Sequence, residues 1–207
     1  MDFKELAATR RSIRKFKSDP VSKDDITDIV NTAINAANAG NQQMWHFTIV
    51  TDAAIKNQMV EIVSRKIETV AAKTDTEPQQ LKPVINSATL FAGAPTVVVV
   101  STGQYRSPAD KLLVGAGYNE LEIDVLRCRP DLQSIGAAIQ MFMLAAWEKG
   151  YGTCYMTGPM IARPELEALF AIQEPRSLAA LIAVGKPEII PATRGRKAVQ
   201  EILTFLD

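Results

Sequence analysis

Apolar and polar residues alternate with two distinct periods along the chain, and these periods predict both helices and strands. An amphipathic helix is expected over residues 22–39, with Ser22 as its N-cap and Asp25 as the acidic partner three positions later. Residues 131–149 carry apolar or small side chains on almost every side of a helix, so this helix should be buried. Further helices are predicted over residues 2–9, 52–72, 81–91 and 164–171.

Runs of β-branched and aliphatic residues mark the strands. Four consecutive valines within residues 96–101, flanked by Gly93 and Gly103, indicate a fully buried strand, and residues 178–184 indicate another. Shorter strands are predicted over residues 46–50 and 152–157. Because strands and helices do not alternate at the short, regular spacing of βαβ units, the pattern favours an α+β fold over a doubly wound sheet.

Residues 103–129 have the least regular pattern in the chain. Gly115 and Gly117 form a G-x-G that lacks the third glycine of a dinucleotide fingerprint and follows no clear strand, so we reject that motif. We interpret the stretch as a helix-containing insertion or flap within a single domain that spans residues 1–207. Tyr105, Arg106 and Tyr118 either line a substrate entrance there or belong to a merely exposed flap.

The charge balance restricts the possible partners. The 207 residues include 23 basic and 23 acidic side chains, and a net charge of zero argues against a general nucleic-acid or anionic-membrane binder. No run of about 18 apolar residues occurs, so no membrane span is expected. Asp2, Lys4 and Glu5 are charged where a signal peptide needs an apolar core, and we therefore expect a cytoplasmic protein.

The cysteine and histidine counts limit the chemistry. Cys128 and Cys154 form no paired motif, and each is expected to be a small buried apolar residue. His46 is the only histidine, so a zinc site built from several histidines is excluded and we predict no metal site. Trp45 should pack in the core or an interface, and strand alternation should turn His46 to the opposite face. Redox or group-transfer chemistry would then come from a bound cofactor.

The most informative short segment is RRSIRKF at residues 10–16. It carries four cations and a hydroxyl directly after a predicted helix, which suits one small, highly charged anion such as a phosphate. A solvated basic turn is the competing interpretation. Arg11 and Lys15 fit solvent exposure or ion pairing better than ligand contact, whereas Arg10, Ser12 and Arg14 are the better ligand candidates.

Two other polar segments complement this cluster. Asn38, Asn41 and Gln43 place amide side chains in one turn, and amides suit the edge of a heterocycle or a polyol. Arg194 and Arg196 add two cations in a basic loop over residues 191–197, which precedes an amphipathic tail. A ligand that uses all three segments has a phosphate, a polar chain and a flat hydrogen-bonding ring, as flavin mononucleotide (FMN) does.

Several motifs in order resemble the flavin-dependent nitroreductase family. The motifs are RRSIRKF at residues 10–16, AANAGNQQMWHF at 36–47, EKGYGTCYMTG at 148–158, LIAVGKP at 181–187 and RGR at 194–196. The resemblance implies an α+β sandwich in which helices flank a mainly antiparallel sheet. It also implies an interwoven homodimer with two sites at the interface, where residues 191–207 would lie.

The resemblance also implies roles for the basic residues. Arg10 and Ser12 match positions that hold the flavin phosphate and ribityl chain, and Arg11 belongs to the same candidate set. Arg14 matches a cation near the pyrimidine edge of the ring. Arg194 and Arg196 match the C-terminal cations that contact the phosphate.

Further roles come from the same resemblance. Asn38, Asn41 and Gln43 match the turn that reaches the flavin of the other subunit. Asn86 falls where the family often has an amide facing the ring. Thr157 and Gly158 match the backbone beside the reactive flavin N5. The family usually has Pro-Ser at residues 37–38 and Gln-Pro-Trp at residues 43–45, and this chain departs from both patterns.

The implied function is that of an FMN-dependent oxidoreductase. NADH or NADPH would donate a hydride, and a small nitroaromatic, quinone or similar electron-poor acceptor would be reduced in ping-pong order. No ribose-recognition fingerprint distinguishes NADH from NADPH. Two alternatives stay open: another enzyme on the same scaffold, namely a reductive dehalogenase or a flavin-fragmenting synthase, and a non-catalytic flavin-binding protein.

Overall fold

A computed structural model describes residues 2–206, and for Pro78 the backbone only. The helices of this part of the chain are α1 Phe3–Thr9, α2 Lys23–Ala33, α3 Ala53–Ala71, α4 Pro78–Ala88, α5 Pro108–Gly115, α6 Glu120–Arg127, α7 Pro130–Glu148 and α8 Arg163–Leu169. The strands are β1 Trp45–Val50, β2 Thr96–Thr102, β3 Gly152–Met156 and β4 Ser177–Gly185.

The four strands form one antiparallel sheet in the order β1-β2-β4-β3. The two most apolar strands, β2 and β4, therefore lie at its centre, and every residue of β2 is buried. A register shift between Val100 and Ser101 interrupts the pairing of β2 with β4 near one end. This arrangement confirms the predicted α+β fold with an antiparallel central sheet.

Helices cover both faces of the sheet. On one face, Val97 and Val99 of β2 pack with side chains of α3 and α8, including Met59 and Leu166, and form the first core. On the other face, Val98 and Val100 pack with α2 and α7, including Phe142, and form the second core. Successive side chains of a strand point to opposite faces, so a run of four valines serves both cores at once.

The predicted burial of the 131–149 helix is confirmed. Helix α7 spans Pro130–Glu148 and has ten buried residues, in accord with apolar side chains on nearly all of its faces. Phe142 of α7 stacks against Phe47 of β1, with ring centroids 6.1 Å apart. Within residues 2–206 we find no helix with the combination of length and apolarity that crossing a membrane requires.

The helix predicted over residues 22–39 is shorter in the structure. It ends at Ala33, and Ile34 and Ala37, which continue the apolar periodicity of the helix, are exposed. Asparagine side chains compete for the backbone carbonyls at this point, because the Asn35 amide donates to the Asn31 carbonyl at 2.7 Å. The amide of Asn38 likewise donates to the carbonyl of Ala36 at 3.3 Å, which favours a turn over another helical turn.

The prediction for the two cysteines is half right. Cys154 is buried in the first core, as expected. Cys128 is exposed, and the prediction that it is buried was wrong. It forms the C-cap of α6 with a left-handed φ of 54°. This end of the helix lies at the surface, and Cys128 is therefore exposed.

A polar contact joins α2 to the end of α7. Asp25 accepts a hydrogen bond from the Tyr151 hydroxyl at 2.7 Å and from the Ser22 hydroxyl at 2.9 Å. The ammonium group of Lys149 lies 3.4 Å from Asp25 and 2.8 Å from Asp28. The hydrogen bond from Tyr151, and then that from Ser22, lowers the pKa of Asp25 below its usual value.

We expect Asp25→Asn to lower the thermal midpoint at pH 7. The ionised Asp25 stabilises the fold above its unfolded pKa of about 4, and this contribution is lost as the pH falls through the lower folded pKa. The difference in midpoint between wild type and variant should therefore shrink once the pH drops below about 4. Asp24→Asn, at an exposed neighbour in the same helical turn, is the control. A pH-independent difference would contradict this account.

Candidate functional site

The basic segment of residues 10–16 lies along the outer edge of β3. Ser12 forms a parallel bridge with Thr153, and the Ile13 N–H donates to the Thr153 carbonyl at 2.9 Å. The Ile13 side chain is 0% exposed and belongs to the first core, as does that of Phe16. These two apolar side chains anchor the segment, so the positions of the arginines around them are fixed by the fold.

Gly152 allows this segment to approach the strand so closely. A methyl group built on Gly152 would overlap the side chain of Ile13, and the surrounding residues would have to shift. The sequence analysis did not identify Gly152 as part of the site. A glycine inside a strand can mark the close approach of another backbone, which is the only signal the sequence offers here.

Arg10 carries the clearest mark of an anion site. Its side chain is half-buried, and its Nη1 atom is buried without a hydrogen-bond partner among the described residues. Burial, and then the positive charges of Arg11 and Arg196, lower the pKa of Arg10. Three guanidinium groups from the two ends of the chain thus converge, and an anion would relieve their mutual repulsion.

Arg11 has a different role in the structure. Its Nη1 atom donates to the carbonyls of Ala8 and Arg10, at 2.6 Å and 2.8 Å, and its Nη2 atom donates to the Thr193 hydroxyl. Arg11 is half-buried, so the expectation of a solvent-facing or ion-paired side chain was wrong, whereas Lys15 is exposed as expected. Arg11 ties the C-terminal segment to the end of α1.

The other three candidate arginines lie at the surface. Arg14, Arg194 and Arg196 are exposed, and Arg196 makes only long hydrogen bonds of 3.4 Å within its own loop. The charges of Arg14 and Arg10 both act on the thiol of Cys154, whose pKa is nevertheless raised because it is buried. The structure therefore brings the arginines of residues 10–14 and Arg196 into one neighbourhood.

Thr157 and Gly158 follow the C-terminal end of β3 and are exposed. Thr157 lies four positions after Thr153, the residue beside Ser12, which corresponds to about 13 Å along an extended strand. An apolar groove with a volume of about 380 Å³ lies next to Gly158, between α3, α4 and the turn Gly158–Ala162. Its lining residues are Ile67, Pro83, Val84, Ser87, Ala88, Gly158 and Ile161.

Asn86 lies on α4, one residue before two that line this groove. Its side chain is exposed. The structure thus brings Asn86 near the groove but not into its wall.

The amide turn lies elsewhere. The Asn38 side chain closes the turn, because its Oδ1 atom accepts the N–H of Gln43 at 2.9 Å. Asn41 and Gln43 have left-handed φ angles of 50° and 48°, and their side chains are exposed. This turn precedes β1, which is separated from β3 by three strand spacings, or about 14 Å. A single chain therefore does not bring the amide turn and the arginines together.

The aromatic pair at the start of β1 follows the predicted alternation. Trp45 is half-buried against the second core, and His46 is exposed. The insertion contains α5 and α6, as the prediction of a helix-containing segment requires; Tyr105 is half-buried and Tyr118 is exposed. In residues 2–206, no group of three or more His, Cys, Asp or Glu side chains is arranged to hold a metal ion.

Comparisons with known proteins agree with this geometry. A crystal structure of a BluB-like flavoprotein from Clostridium difficile 630 aligns over the full length of both chains, with a TM-score of 0.90 and 29% identity. YfhC of Bacillus subtilis, which carries the name of an NAD(P)H nitroreductase, is 25% identical over 201 residues, covering 97% of this chain and 92% of its own. An iodotyrosine deiodinase of Daphnia pulex is 24% identical over 187 residues, covering 87% of this chain and 57% of its own.

The decisive comparison is with a family model. The model described as "Nitroreductase family" matches residues 7–186, a span that runs from the arginine segment through all four strands. The resemblance inferred from the motifs is thereby confirmed, and this chain belongs to the nitroreductase family.

Proposed function

We propose that this protein is a flavoenzyme that binds FMN and transfers hydride from NADH or NADPH to an electron-poor small molecule, such as a nitroaromatic compound or a quinone. The observation that carries this proposal is the convergence of Arg10, Arg11 and Arg196, with a buried Arg10 nitrogen that has no hydrogen-bond partner within residues 2–206. A phosphate supplies both the acceptor oxygens and the negative charge that this arrangement requires. The names of YfhC and of the flavoprotein from C. difficile point to the same class.

The residues along β3 fit an elongated ligand. Arg10 would donate to the phosphate, Arg194 and Arg196 would add positive charge, and the Ser12 hydroxyl would meet the polar chain that follows. Arg14, on the same segment, fits the polar edge of the ring. Arg11 would contribute charge rather than contacts, because its nitrogens are already engaged with Ala8, Arg10 and Thr193.

The far end of β3 fits the flat part of such a ligand. The backbone of Thr157 and Gly158 is exposed there, and the apolar groove beside Gly158 would exclude water from one side of an aromatic ring. Bound FMN would supply the redox centre, accepting hydride from the nicotinamide and passing it to the acceptor. Because both substrates would use one shared position, we expect ping-pong order.

The complete site requires a second copy of this chain. Asn38, Asn41 and Gln43 are about 14 Å from the β3 edge of their own chain, so a partner's turn is better placed to meet the ring. The C-terminal residues support a homodimer, because Phe205 and Leu206 are 76% and 95% exposed in the single chain. Large apolar side chains that a chain leaves uncovered mark interaction sites.

A reductive dehalogenase is the second candidate. The observation that favours it is the relationship to the iodotyrosine deiodinase of Daphnia pulex. The same phosphate and ring contacts would serve both reactions, so the cofactor site does not separate them. The residues that meet the acceptor would make the difference, and we propose that the insertion of residues 103–129, whose first loop hydrogen-bonds to the amide turn, supplies them.

We expect the purified protein to show flavin absorbance in the visible range. Anaerobic addition of NADH or NADPH should bleach this absorbance within seconds, and a quinone or nitroarene should then restore it. Free FMN at the same concentration serves as the control for uncatalysed reduction. Protein that stays colourless after incubation with FMN would overturn the proposal.

The alternatives give different results in the same cuvette. A non-catalytic flavin-binding protein would be yellow, but NADH or NADPH would reduce its flavin no faster than free FMN. A dehalogenase would release halide from a halogenated phenol after reduction. A flavin-fragmenting enzyme would convert the reduced flavin into smaller products when oxygen is admitted.

A further inference from the structure

The Gln42 side chain connects the amide turn to the first loop of the insertion. Its Nε2 atom donates to the Arg106 carbonyl at 2.5 Å, and its Oε1 atom accepts the Arg106 N–H at 3.2 Å. One side-chain amide therefore satisfies both backbone groups of a residue 64 positions away in sequence. Sequence reasoning overlooked Gln42, because its neighbours Asn41 and Gln43 matched a family pattern and it did not.

Two further contacts hold the same loop against the turn. The Gly103 N–H donates to the Met44 carbonyl at 2.7 Å. The ring of Tyr105 lies 3.6 Å from the position that a Cβ atom on Gly40 would occupy. Residues 103–106 thus rest directly on residues 40–44, beside the exposed side chains of Asn41 and Gln43.

The helices of the insertion have little apolar anchorage of their own. Leu112 of α5 is 76% exposed, and Leu121 and Val125 of α6 are 77% and 78% exposed. At the far end, Arg129 pairs with Asp131 of α7 at 2.6 Å and with Asp124 of α6 at 3.3 Å. Within the single chain, the position of the insertion therefore depends on polar contacts at its two ends, and Gln42 provides two of the hydrogen bonds at the first end.

A cavity of about 520 Å³ lies between the insertion and the start of β4. Its walls include Tyr105, Arg106 and Arg127 of the insertion and Arg176 and Ser177 at β4. Because one wall is the insertion itself, the width of this cavity changes whenever the insertion moves relative to the sheet.

We propose that Gln42 is a positioning residue that holds the insertion against the amide turn and thereby sets the size of electron acceptor admitted by the site that this turn shares with a second copy of the chain. The part concerning acceptors rests on the proposed function. The part concerning position rests only on the two hydrogen bonds to Arg106 and on the exposed helices beyond them.

The test replaces Gln42 with methionine, which keeps the length of the side chain and removes both hydrogen bonds. Hydrogen–deuterium exchange measured by mass spectrometry should become about tenfold faster in peptides covering residues 103–107, as expected for the loss of two modest hydrogen bonds. Peptides from β2 and β4 should not change. Gln58→Met, at an exposed position on α3, is the matched control.

The second measurement uses the full-length protein with its flavin. The ratio of kcat/KM for a large quinone to that for a small quinone should change at least threefold in Gln42→Met, while the flavin absorbance stays as in wild type. Unchanged exchange in residues 103–107 would overturn the proposal. Faster exchange with an unchanged ratio would overturn its second half.

The two proposals fail in distinguishable ways. A colourless wild-type protein without NAD(P)H oxidation would refute the proposed function, and the acceptor part of this inference with it. The exchange measurement needs neither flavin nor activity, so it would still decide whether Gln42 positions the insertion.

Discussion

Replacing Arg10 with alanine should yield a folded protein that has lost most of its flavin. The variant removes the half-buried guanidinium whose Nη1 atom has no partner in the part of the chain that the structure describes, and with it the donor best placed for a phosphate. Hydrogen bonds to charged groups contribute about 1.5–3 kcal/mol, so the dissociation constant for FMN should rise about 10- to 150-fold. Titration with FMN followed by fluorescence quenching measures this change.

The flavin-free variant should be at least as stable as flavin-free wild type. Arg10 is repelled by Arg11 and Arg196 and is partly desolvated, which is why its pKa is lowered, so its removal relieves an unfavourable charge in the folded state. Thermal melts of both apoproteins test this expectation. Arg10→Lys should have an intermediate effect, because lysine keeps the charge but lacks the planar fork.

Arg65→Ala provides the control for a general loss of positive charge. Arg65 lies on an exposed face of α3, away from the arginine segment, and its replacement should leave the affinity for FMN unchanged. An Arg10→Ala protein that remains fully yellow would contradict the assignment of the phosphate position. Equal losses in the two variants would indicate a long-range charge effect instead of a local contact.

Gly152→Ala should destabilise the protein and weaken flavin binding together. The added methyl group would overlap the side chain of Ile13, which is fully buried in the first core. Overpacking a core costs about 1–3 kcal/mol, and relief would come from moving the backbone of residues 10–14 away from β3. Urea denaturation of the apoprotein and FMN titration of the same preparation measure the two effects.

Gly115→Ala is the matched control for this substitution. Gly115 is the last residue of α5, is exposed, and has no atom within 4 Å of the position that a Cβ atom would take. Alanine there should be neutral or slightly stabilising, since glycine is less favourable in helices by about 0.5–1 kcal/mol. If Gly152→Ala were equally harmless, the arginine segment would not depend on close contact with β3.

Arg10→Ala and Gly152→Ala together separate the effect of the charge at the site from the effect of the position of the arginine segment. Arg10→Ala removes a charged group without disturbing the core, so affinity should fall while the stability of the apoprotein does not. Gly152→Ala changes none of the candidate contact residues, but it moves the segment that carries Arg10, Ser12 and Arg14. Loss of affinity in both variants, with loss of stability in only one, is the expected pattern.

Long periodic patterns were interpreted correctly from the sequence. The four valines of β2 are buried on both faces of the sheet, and α7 is buried on most of its sides. An uninterrupted apolar run of this kind is compatible with few positions other than the centre of the fold. The end of α2 was missed because its periodicity continues through Ile34 and Ala37, while the asparagine side chains that stop the helix act through hydrogen bonds. The exposure of Cys128 was missed because residue type alone favours burial.

The candidate site, too, could be predicted only in part from the sequence. The local motif of residues 10–16 and the basic loop of residues 191–197 suit a phosphate, because forked cations bind such anions, but their charge density alone left a solvated basic turn open. The resemblance to the family favoured the phosphate. The roles of Arg11, Gly152 and Gln42 were not visible. Arg11 ties down the C-terminal segment, Gly152 makes room for Ile13, and Gln42 holds a loop 64 residues away.

The amino-acid order by itself determined most of the elements, since periodicity and turn residues are local properties of a chain, and its ordered motifs carried the resemblance that implied the family and its ligand. Only the tertiary structure decided which arginine lacks a partner, which glycine admits a neighbouring segment and which glutamine bridges distant loops. Those properties depend on distances between residues far apart in sequence, and such distances exist only after the sheet has brought the two ends of the chain together.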